Sequence, residues 1–530
     1  MRDAGAGGAA RRPHRRGAGS GILSTEGATR LSLPRGLGPG AHRGSPGPHG
    51  AHGAEVQGFV KRVARVALVA LAALFVSALI FHFAVGRAAR LDPPRLALPQ
   101  GQVVKEPGLR RFGEAYARQV GGILQVGLAG TPVDIGYAHA RLLYPEMVEN
   151  EGILLGRFEQ QVPLRAARSL LMDLAQLRYR EVDREMSQDR LREIAAGSYG
   201  FQPDPYERLF PTYQRFVYLN ALYDISLSFE GSPLIGCTTF TFDGAATSDG
   251  SGVLARAFDF EVDEIFDRRK AVFLVREQGK IPFASVAWPG LVGVVSGMNL
   301  EGVAVVVHGG RAREPRASGE PVVHALRRVL SEARTTEDAI RLLGERSPMV
   351  SHIVIATDAH GHSVAIERAP GFQDAVRRLP VRAATTNHFE SELRDDPKNL
   401  RVRESTSTLP RRARGDVLVA ALPQAEPISP RSAAALLRDR RAASGEALPL
   451  GDRRAIDALI ATHGVILETG PRVLWVSDAP HLLGKFRAFD LRRLLAPDYD
   501  PARDALPLET LPEDELLTSG QYAKYKAQHP

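Results

Sequence analysis

The chain has 530 residues, 44% of them hydrophobic, a formal net charge of +8 and a single cysteine. A chain of this length buries a sizeable core without staples, and it allows up to about three or four domains, or one large domain with appendages. One cysteine excludes an intramolecular disulfide framework and a cysteine-based zinc cluster. The charge makes no case for nucleic acid as a partner of the body. All of the +8 lies in residues 1–65, which hold eleven basic and three acidic side chains, while the rest carries 57 of each sign.

Residues 1–59 are dominated by Gly, Ala, Arg, Pro and His. Large apolar side chains are sparse there, so burial cannot offset the entropy of ordering, and a disordered basic tail is predicted. Val66 to Gly86 is a run of 21 uncharged residues interrupted only by Ser77 and His82. That length matches the hydrocarbon thickness of a bilayer, and a transmembrane helix is predicted over 63–86. A cleaved signal peptide is the competing reading, but the basic lead before the run is long for one. Lys61, Arg62, Arg65 and the rest of the tail outweigh Arg87 and Arg90 beyond the run. A single-pass protein is therefore expected, with a cytoplasmic N-terminus and the body on the outer, periplasmic or extracellular side.

Residues 91–107 contain four prolines and read as a linker. Apolar residues at three-four spacing predict helices in 108–236, notably over 113–120, 166–186 and 213–229. From Cys237 the period changes to two. Strands are predicted over 238–244, 252–262, 269–278, 283–290, 290–299, 302–309, 352–359 and 362–369, with helices returning over 322–343, where Thr335 and Thr336 cap the second half, and over 431–440. Many strands with segregated helices give an α+β class.

Cys237 lies where helical pattern gives way to strand pattern, after Gly236 and before Thr238-Thr239-Phe240. A lone cysteine is ordinarily a small buried hydrophobe. Its surroundings point further. The Thr247-Ser248-Asp249-Gly250 turn and Arg256-Ala257-Phe258-Asp259 follow it. Upstream stands Gly130-Thr131-Pro132-Val133-Asp134-Ile135-Gly136-Tyr137-Ala138-His139, and downstream Gly297-Met298-Asn299-Leu300-Glu301-Gly302 and Thr385-Thr386-Asn387-His388-Phe389. In this order the blocks resemble the N-terminal-nucleophile (Ntn) cysteine hydrolases, with closest likeness to the acyl-coenzyme A:6-aminopenicillanic acid acyltransferase family over residues 108–495. Acid ceramidase and the bile-salt (choloylglycine) and penicillin V hydrolases are more distant.

The resemblance implies a four-layer αββα sandwich made as a precursor and cleaved between Gly236 and Cys237. Residues 108–236 would be the propeptide part and 237–530 the catalytic part, and the two chains would stay associated. The new α-amine, with a reference pKa of about 7.7–8.0, would serve as base for its own thiol. Asp259 matches the group that orients this amine, Arg256 the arginine beside the nucleophile, and Asn387 the oxyanion-hole asparagine. An ideal strand points residues three apart to opposite faces, so Arg256 and Asp259 would both reach Cys237 only if the strand bulged or ended there. His308 falls where the family has a second asparagine, and Asn299, Arg411 and Arg412 remain further oxyanion or substrate candidates. The implied reaction is hydrolysis of a small acyl amide, or acyl transfer to an amine at the same site. An inert membrane-anchored binding protein is a third reading, favoured by the His308 departure. No cofactor, metal or nucleic acid is implied; the partners are the acyl-amide substrate and the membrane. Gly250-Ser251-Gly252-Val253-Leu254-Ala255 fits a dinucleotide fingerprint, but strand pattern follows it, so a hairpin turn is predicted. His360-Gly361-His362 reads as a polar turn. The signature around a papain-like nucleophile is absent.

Overall fold

The uncharged run folds as predicted into helix. The computed structural model describes residues 49–229, 235–260, 263–504 and 509–529, so the predicted tail lies outside the described residues up to position 48. Helix α1 (His49–Ala88) contains a stretch, Gln57–Ala88, long and apolar enough to cross a membrane. Its Leu68, Leu71, Phe75, Ile80 and Phe83 are exposed. The chain divides within this helix into two units, Met1–Phe75 and Val76–Pro530. In the second unit the helix end is tied down: His82 Nδ1 lies 2.9 Å from Asp173 Oδ1, and Gln214 donates to the Ala89 carbonyl at 2.6 Å.

Four strands open the body: β1 (Val104–Glu106), β2 (Leu109–Phe112), β3 (Ala115–Val120) and β4 (Ile123–Gly130). The helix predicted over 113–120 is therefore β3, and the linker's last residues enter β1. Gly113 and Gly121 take positive φ of 57° and 61° and turn the chain at both ends of β3. The few residues between them are too few for a stable helix but suit two hairpins. Helices α2 (Pro132–Gln161), α3 (Arg165–Arg178), α4 (Gln188–Gly200), α5 (Thr212–Leu219) and α6 (Leu222–Leu227) follow. The Gly-Thr-Pro-Val-Asp block is the start of α2: Thr131 and Asp134 form a capping box around Pro132.

Strands β5 (Ile235–Phe242) and β6 (Val253–Phe260) form the hairpin predicted at Gly250-Ser251-Gly252. Next come α7 (Ile265–Arg268), β7 (Ala271–Glu277), β8 (Phe283–Ala287), β9 (Ser296–Asn299), β10 (Ala304–Gly309), α8 (Val322–Glu332) and α9 (Thr336–Gly344). Then follow β11 (His352–Thr357), β12 (Ser363–Arg368), β13 (Ala375–Arg378), β14 (Arg382–Thr385), α10 (Pro397–Ser405), α11 (Thr408–Ala421) and α12 (Pro430–Leu437). The His360-Gly361-His362 turn joins β11 to β12, with Gly361 at φ 78°. Strands β15 (Ala461–Glu468), β16 (Val473–Ser477), β17 (Phe486–Asp490) and β18 (Thr510–Leu511) complete the sheets.

Two sheets with helices around them result. One runs β1-β2-β3-β4-β7-β8-β9-β10-β11-β12-β13, the other β14-β5-β6-β15-β16-β17-β18. Ile135, Leu142 and Ile194 of α2 and α4, with Leu326 and Leu330 of α8, cover one face of the first sheet at Val126, Phe273 and Val305. Its other face, at Val272, Leu274, Val306 and Ile355, packs on Leu254, Val465 and Val476 of the second sheet. Val419 of α11 and Ala433 and Leu437 of α12 close the far side against Phe240, Ala255 and Ile466. Each fully buried Val, Leu, Ile or Phe side chain contributes about 1.5–3 kcal/mol.

The segments on either side of Cys237 are interwoven. The pairing of β4 with β7 is parallel and runs from Leu124↔Ala271 to Gly130↔Glu277, in the interior of the first sheet. Beneath the helices, Arg190 of α4 pairs with Glu193 and with Glu277 of β7, and Arg327 of α8 donates to Glu277 at 2.9 Å. These four charges are buried and mutually compensated, which is the condition under which buried ions are tolerated.

Candidate active site

Strand alternation places Cys237 and the preceding Gly236 on different faces of the second sheet. Cys237 pairs with Phe258 and Thr239 with Arg256, and these side chains face the first sheet; Gly236 pairs with Asp259 and Thr238 with Ala257 on the opposite face. Arg256 and Asp259 therefore approach Cys237 from opposite sides without a bulge in β6. Arg256 meets the sulfur and Asp259 lies by the backbone. The irregularity sits in the neighbouring strand instead, between Ala461 and His463 of β15, opposite Asp259 and Phe258.

Cys237 is fully buried. Arg256 Nη2 lies 3.3 Å from Sγ. The guanidinium, itself fully buried, is held by the carbonyls of Val295, at 2.8 Å, and Val307, by Ser296 Oγ, and by the Phe258 ring 4.1 Å away. Ser296 is fixed in turn by His463 Nε2 at 2.9 Å. Burial pushes the Cys237 thiol up from its ordinary range, and the Arg256 charge pulls it back.

A second group surrounds the Cys237 backbone. Its N–H donates to Asn387 Oδ1 at 2.7 Å, and its carbonyl accepts from Arg411 Nη1. Arg411 also donates to Thr238 Oγ1 and to Asn387 Oδ1, each at 2.9 Å. Asn387 Nδ2 donates to the Gly309 carbonyl at 2.9 Å. This asparagine thus presents its carbonyl oxygen to Cys237, because two donors converge there. Asp259 lies against Gly236: a Cβ on that glycine would stand 3.3 Å from Asp259 Oδ2. The carboxyl is 3% exposed, and its Oδ1 has no hydrogen-bond partner. Burial pushes it up to about 7, with Arg411 opposing. Burial lowers Arg411, with Asp259 and Cys237 raising it.

The remaining sequence candidates lie elsewhere. His308 is buried with both ring nitrogens engaged, Nε2 with Thr239 Oγ1 at 2.7 Å and Nδ1 with the Thr386 carbonyl at 3.1 Å. A carbonyl only accepts, so Nδ1 carries the proton. Burial holds the ring neutral by lowering its pKa well below the ordinary value. Nε2 is then an acceptor and offers nothing to an oxyanion. Asn299 caps α8: Nδ2 donates to the Leu330 and Ala333 carbonyls at 3.0 and 2.8 Å, and Oδ1 accepts from Val303 at 2.9 Å. Arg412 points away to Glu390 and Asp416. The structure brings Arg411, and not Arg412, to Cys237.

Sequence reasoning missed the residues that brace these groups. Ser296 immediately precedes the Gly297-Met298-Asn299 block, so a longer reading of that block would have included it. Thr408 accepts from the Asn387 N–H at 2.9 Å and stands three residues before Arg411. His463 carried no local signal; it sits mid-strand in β15.

A family model described as acyl-coenzyme A:6-aminopenicillanic acid acyl-transferase matches residues 246–425. The match begins downstream of Cys237 and takes in Arg256, Asp259, Asn387 and Arg411. No curated protein matches the sequence. Among solved structures, the chain is similar to an N-acylethanolamine-hydrolyzing acid amidase ortholog of Caenorhabditis elegans, at 15% identity, covering 44% of this chain and 93% of that one, with a TM-score of 0.31. It is similar to penicillin V acylase from Agrobacterium tumefaciens at 16% identity, covering 48% and 91%, with a TM-score of 0.31. A variant of the conjugated bile acid hydrolase from Clostridium perfringens aligns at 10% identity, covering 53% and 97%, with a TM-score of 0.33. The chain resembles the acyl-coenzyme A:6-aminopenicillanic acid acyl-transferase family, and the matched segment carries Arg256, Asp259, Asn387 and Arg411 of the Cys237 site.

Proposed function

We propose that this protein is a self-processing Ntn cysteine amidase with a four-layer αββα body, anchored in a membrane by α1 with the body on the outer side. One observation carries the reading. A single residue has a cation at its sulfur and an acid, an amide and a second arginine around its backbone. An N-terminal cysteine nucleophile needs that division. The sulfur must be held as thiolate, and the nitrogen must be positioned as base.

In the precursor, Cys237 Sγ attacks the Gly236 carbonyl carbon, the C–N bond breaks, and the thiol proton passes to the departing nitrogen. Water then hydrolyses the thioester, leaving a Gly236 carboxylate and a free Cys237 amine. Asp259 Oδ1, buried without a partner, receives this amine, and Asn387 Oδ1 keeps its place beside it. The α-amine then takes the thiol proton as substrate arrives, Sγ attacks the amide carbonyl, and the amine returns the proton to the leaving nitrogen. Arg256 favours the thiolate. Arg411 braces the Cys237 carbonyl and the Asn387 amide, and Asn387 Nδ2 supplies an oxyanion donor once the chain ends rearrange. The two chains stay together through the β4–β7 pairing and the Arg190–Glu277–Arg327 charges. Transfer of the acyl group to an amine instead of water is the second reading, favoured by the acyl-transferase family that the matched segment resembles.

The test is intact mass and N-terminal sequencing of the wild type and of Cys237→Ala. The wild type is expected as two chains, the second starting at Cys237, and the variant as one chain of 57.5 kDa. A wild-type chain that stays whole and resists thiol-directed acyl probes would overturn the proposal. A finer expectation separates neighbours in sequence. Arg411→Met should slow cleavage at least about 100-fold, since it strips a charged donor from buried acceptors. Arg412→Met, which loses partly exposed pairs, should stay within about threefold of wild type. Gel densitometry of processing over time reads both.

A further inference from the structure

A cavity lined by α2, α5, α6, α7 and strand β6 of the second sheet has polar demands that its own walls do not meet. Its empty volume is about 940 Å³ counting the open mouth. Apolar side chains dominate the lining, among them Phe216, Phe258, Phe266 and Trp288. Phe258 is the cross-strand partner of Cys237, so the strand wall of the cavity backs onto the nucleophile's own residue. Four polar side chains face it: Asn150, Glu151, Asn220 and Tyr223.

Two of the four have a partner in the protein. Asn220 donates to the Phe216 and Gly290 carbonyls at 3.0 and 3.2 Å and accepts from Val292 at 2.8 Å. Glu151 is ion-paired with Arg215. The other two do not. Asn150 is 5% exposed, and neither its Nδ2 nor its Oδ1 has a hydrogen-bond partner. The buried Tyr223 hydroxyl has none either. Leaving such a group unpaired costs about 1–3 kcal/mol, so a purely apolar occupant would seal in that cost and an occupant with a matching group would relieve it. An amide side chain has both a donor and an acceptor to satisfy, and a hydroxyl is the smallest single group that answers both.

We infer that this cavity binds the acyl part of the substrate, and that this acyl group is an apolar chain bearing a hydroxyl, read by Asn150 on α2 with Tyr223 on α6 as its second partner. The inference rests on the amidase reading and names the substrate class for it. Asn150 is a specificity residue here and takes no part in bond breaking. Sites built to hydrogen-bond a substrate hydroxyl discriminate strongly against the analogue lacking it, because the site's own groups are then left unpaired.

The full-length protein in detergent micelles is assayed on aminocoumarin amides of decanoic acid and of its positional hydroxy isomers. The best hydroxy isomer should exceed the plain chain at least about tenfold in kcat/KM. Asn150→Leu, of similar size and apolar, should erase that ratio. An equal preference in wild type, or an unchanged ratio in Asn150→Leu, overturns the inference. A second readout does not need catalysis. In Cys237→Ala with Trp475→Phe, the sole remaining tryptophan, Trp288, lines the cavity. Free hydroxydecanoic acid should quench it at concentrations at least about tenfold lower than decanoic acid, and Asn150→Leu should remove the difference. If no amide is cleaved and the wild-type chain stays whole, the amidase reading fails, and the quenching ratio still decides whether the cavity reads a hydroxyl.

Discussion

Replacing Arg256 by methionine is expected to raise the pH at which Cys237 ionises and to cut amide turnover by about two orders of magnitude or more. The guanidinium is fully buried and 3.3 Å from Sγ. Two unit charges at that separation interact by about 5 kcal/mol at an effective dielectric of 20, an upper bound on what the thiolate gains. Burial alone drives the thiol toward its neutral form, and Arg256 is the largest opposing influence. Its removal should therefore cost at least about a tenfold loss of thiolate at fixed pH, and the rate should fall further because substrate must then be attacked by a mostly protonated sulfur. The Arg256→Met side chain would keep much of the packing against Phe258 but leave the Val295 and Val307 carbonyls and the Ser296 hydroxyl without their donor, a penalty of about 1–3 kcal/mol. Cys237 is the only thiol, so thiolate absorbance in the ultraviolet, followed against pH on the processed protein, reads it alone. Arg256→Lys should fall between the two, since it restores the charge without the fork that spans both carbonyls. An unmoved titration curve with normal turnover would reduce Arg256 to a packing residue.

The same pair of positions marks where sequence reasoning stops. Arg256 and Asp259 were legible as candidates, but their separation of three suggested a distorted strand. The strand is regular: Arg256 shares the face of Cys237 and meets its sulfur, while Asp259 shares the opposite face with Gly236. The uncharged run of α1 was legible because composition alone decides it. So were β10 and β11, where turn residues bound short, β-branched apolar runs. Gly113–Val120 was not, since so short a segment carries too few repeats to separate a period of 3.6 from one of two, and the flanking glycines decide it through turn geometry. The choice between Arg411 and Arg412 could not be made from spacing either. Adjacent helical residues point about 100° apart, and which one enters the site depends on how α11 packs under β14 and β5. His308 lost its candidacy only through its partners: Thr239 and Thr386 use both ring nitrogens, and neither bond is written in the local sequence. The β4–β7 pairing joins segments far apart along the chain, with no local mark that they would meet.

Asp259→Asn is expected to make the protein more stable at alkaline pH and to leave it unable to process. The carboxyl is pushed up to about 7 by burial, against an unfolded value of about 3.9. The folded state therefore holds a proton that the unfolded state releases between those two values. Stability falls as pH rises through that window, and the full cost, about 4 kcal/mol, is present above pH 7. Asparagine mimics the protonated acid and cannot ionise, so the variant should gain up to about that amount at pH 8 and nothing near pH 3, where aspartate is protonated in both states. Thermal melts at the two pH values read this directly when both proteins also carry Cys237→Ala, so that neither is cleaved. With Cys237 in place, cleavage of Asp259→Asn should fail, by a factor of at least about 100, because the departing Cys237 nitrogen loses the carboxylate that receives it. In the wild type, processing should accelerate as pH rises through about 7, the range in which Asp259 ionises. A variant that is less stable than wild type at pH 8, or that still yields a chain beginning at Cys237, would remove Asp259 from the role assigned to it.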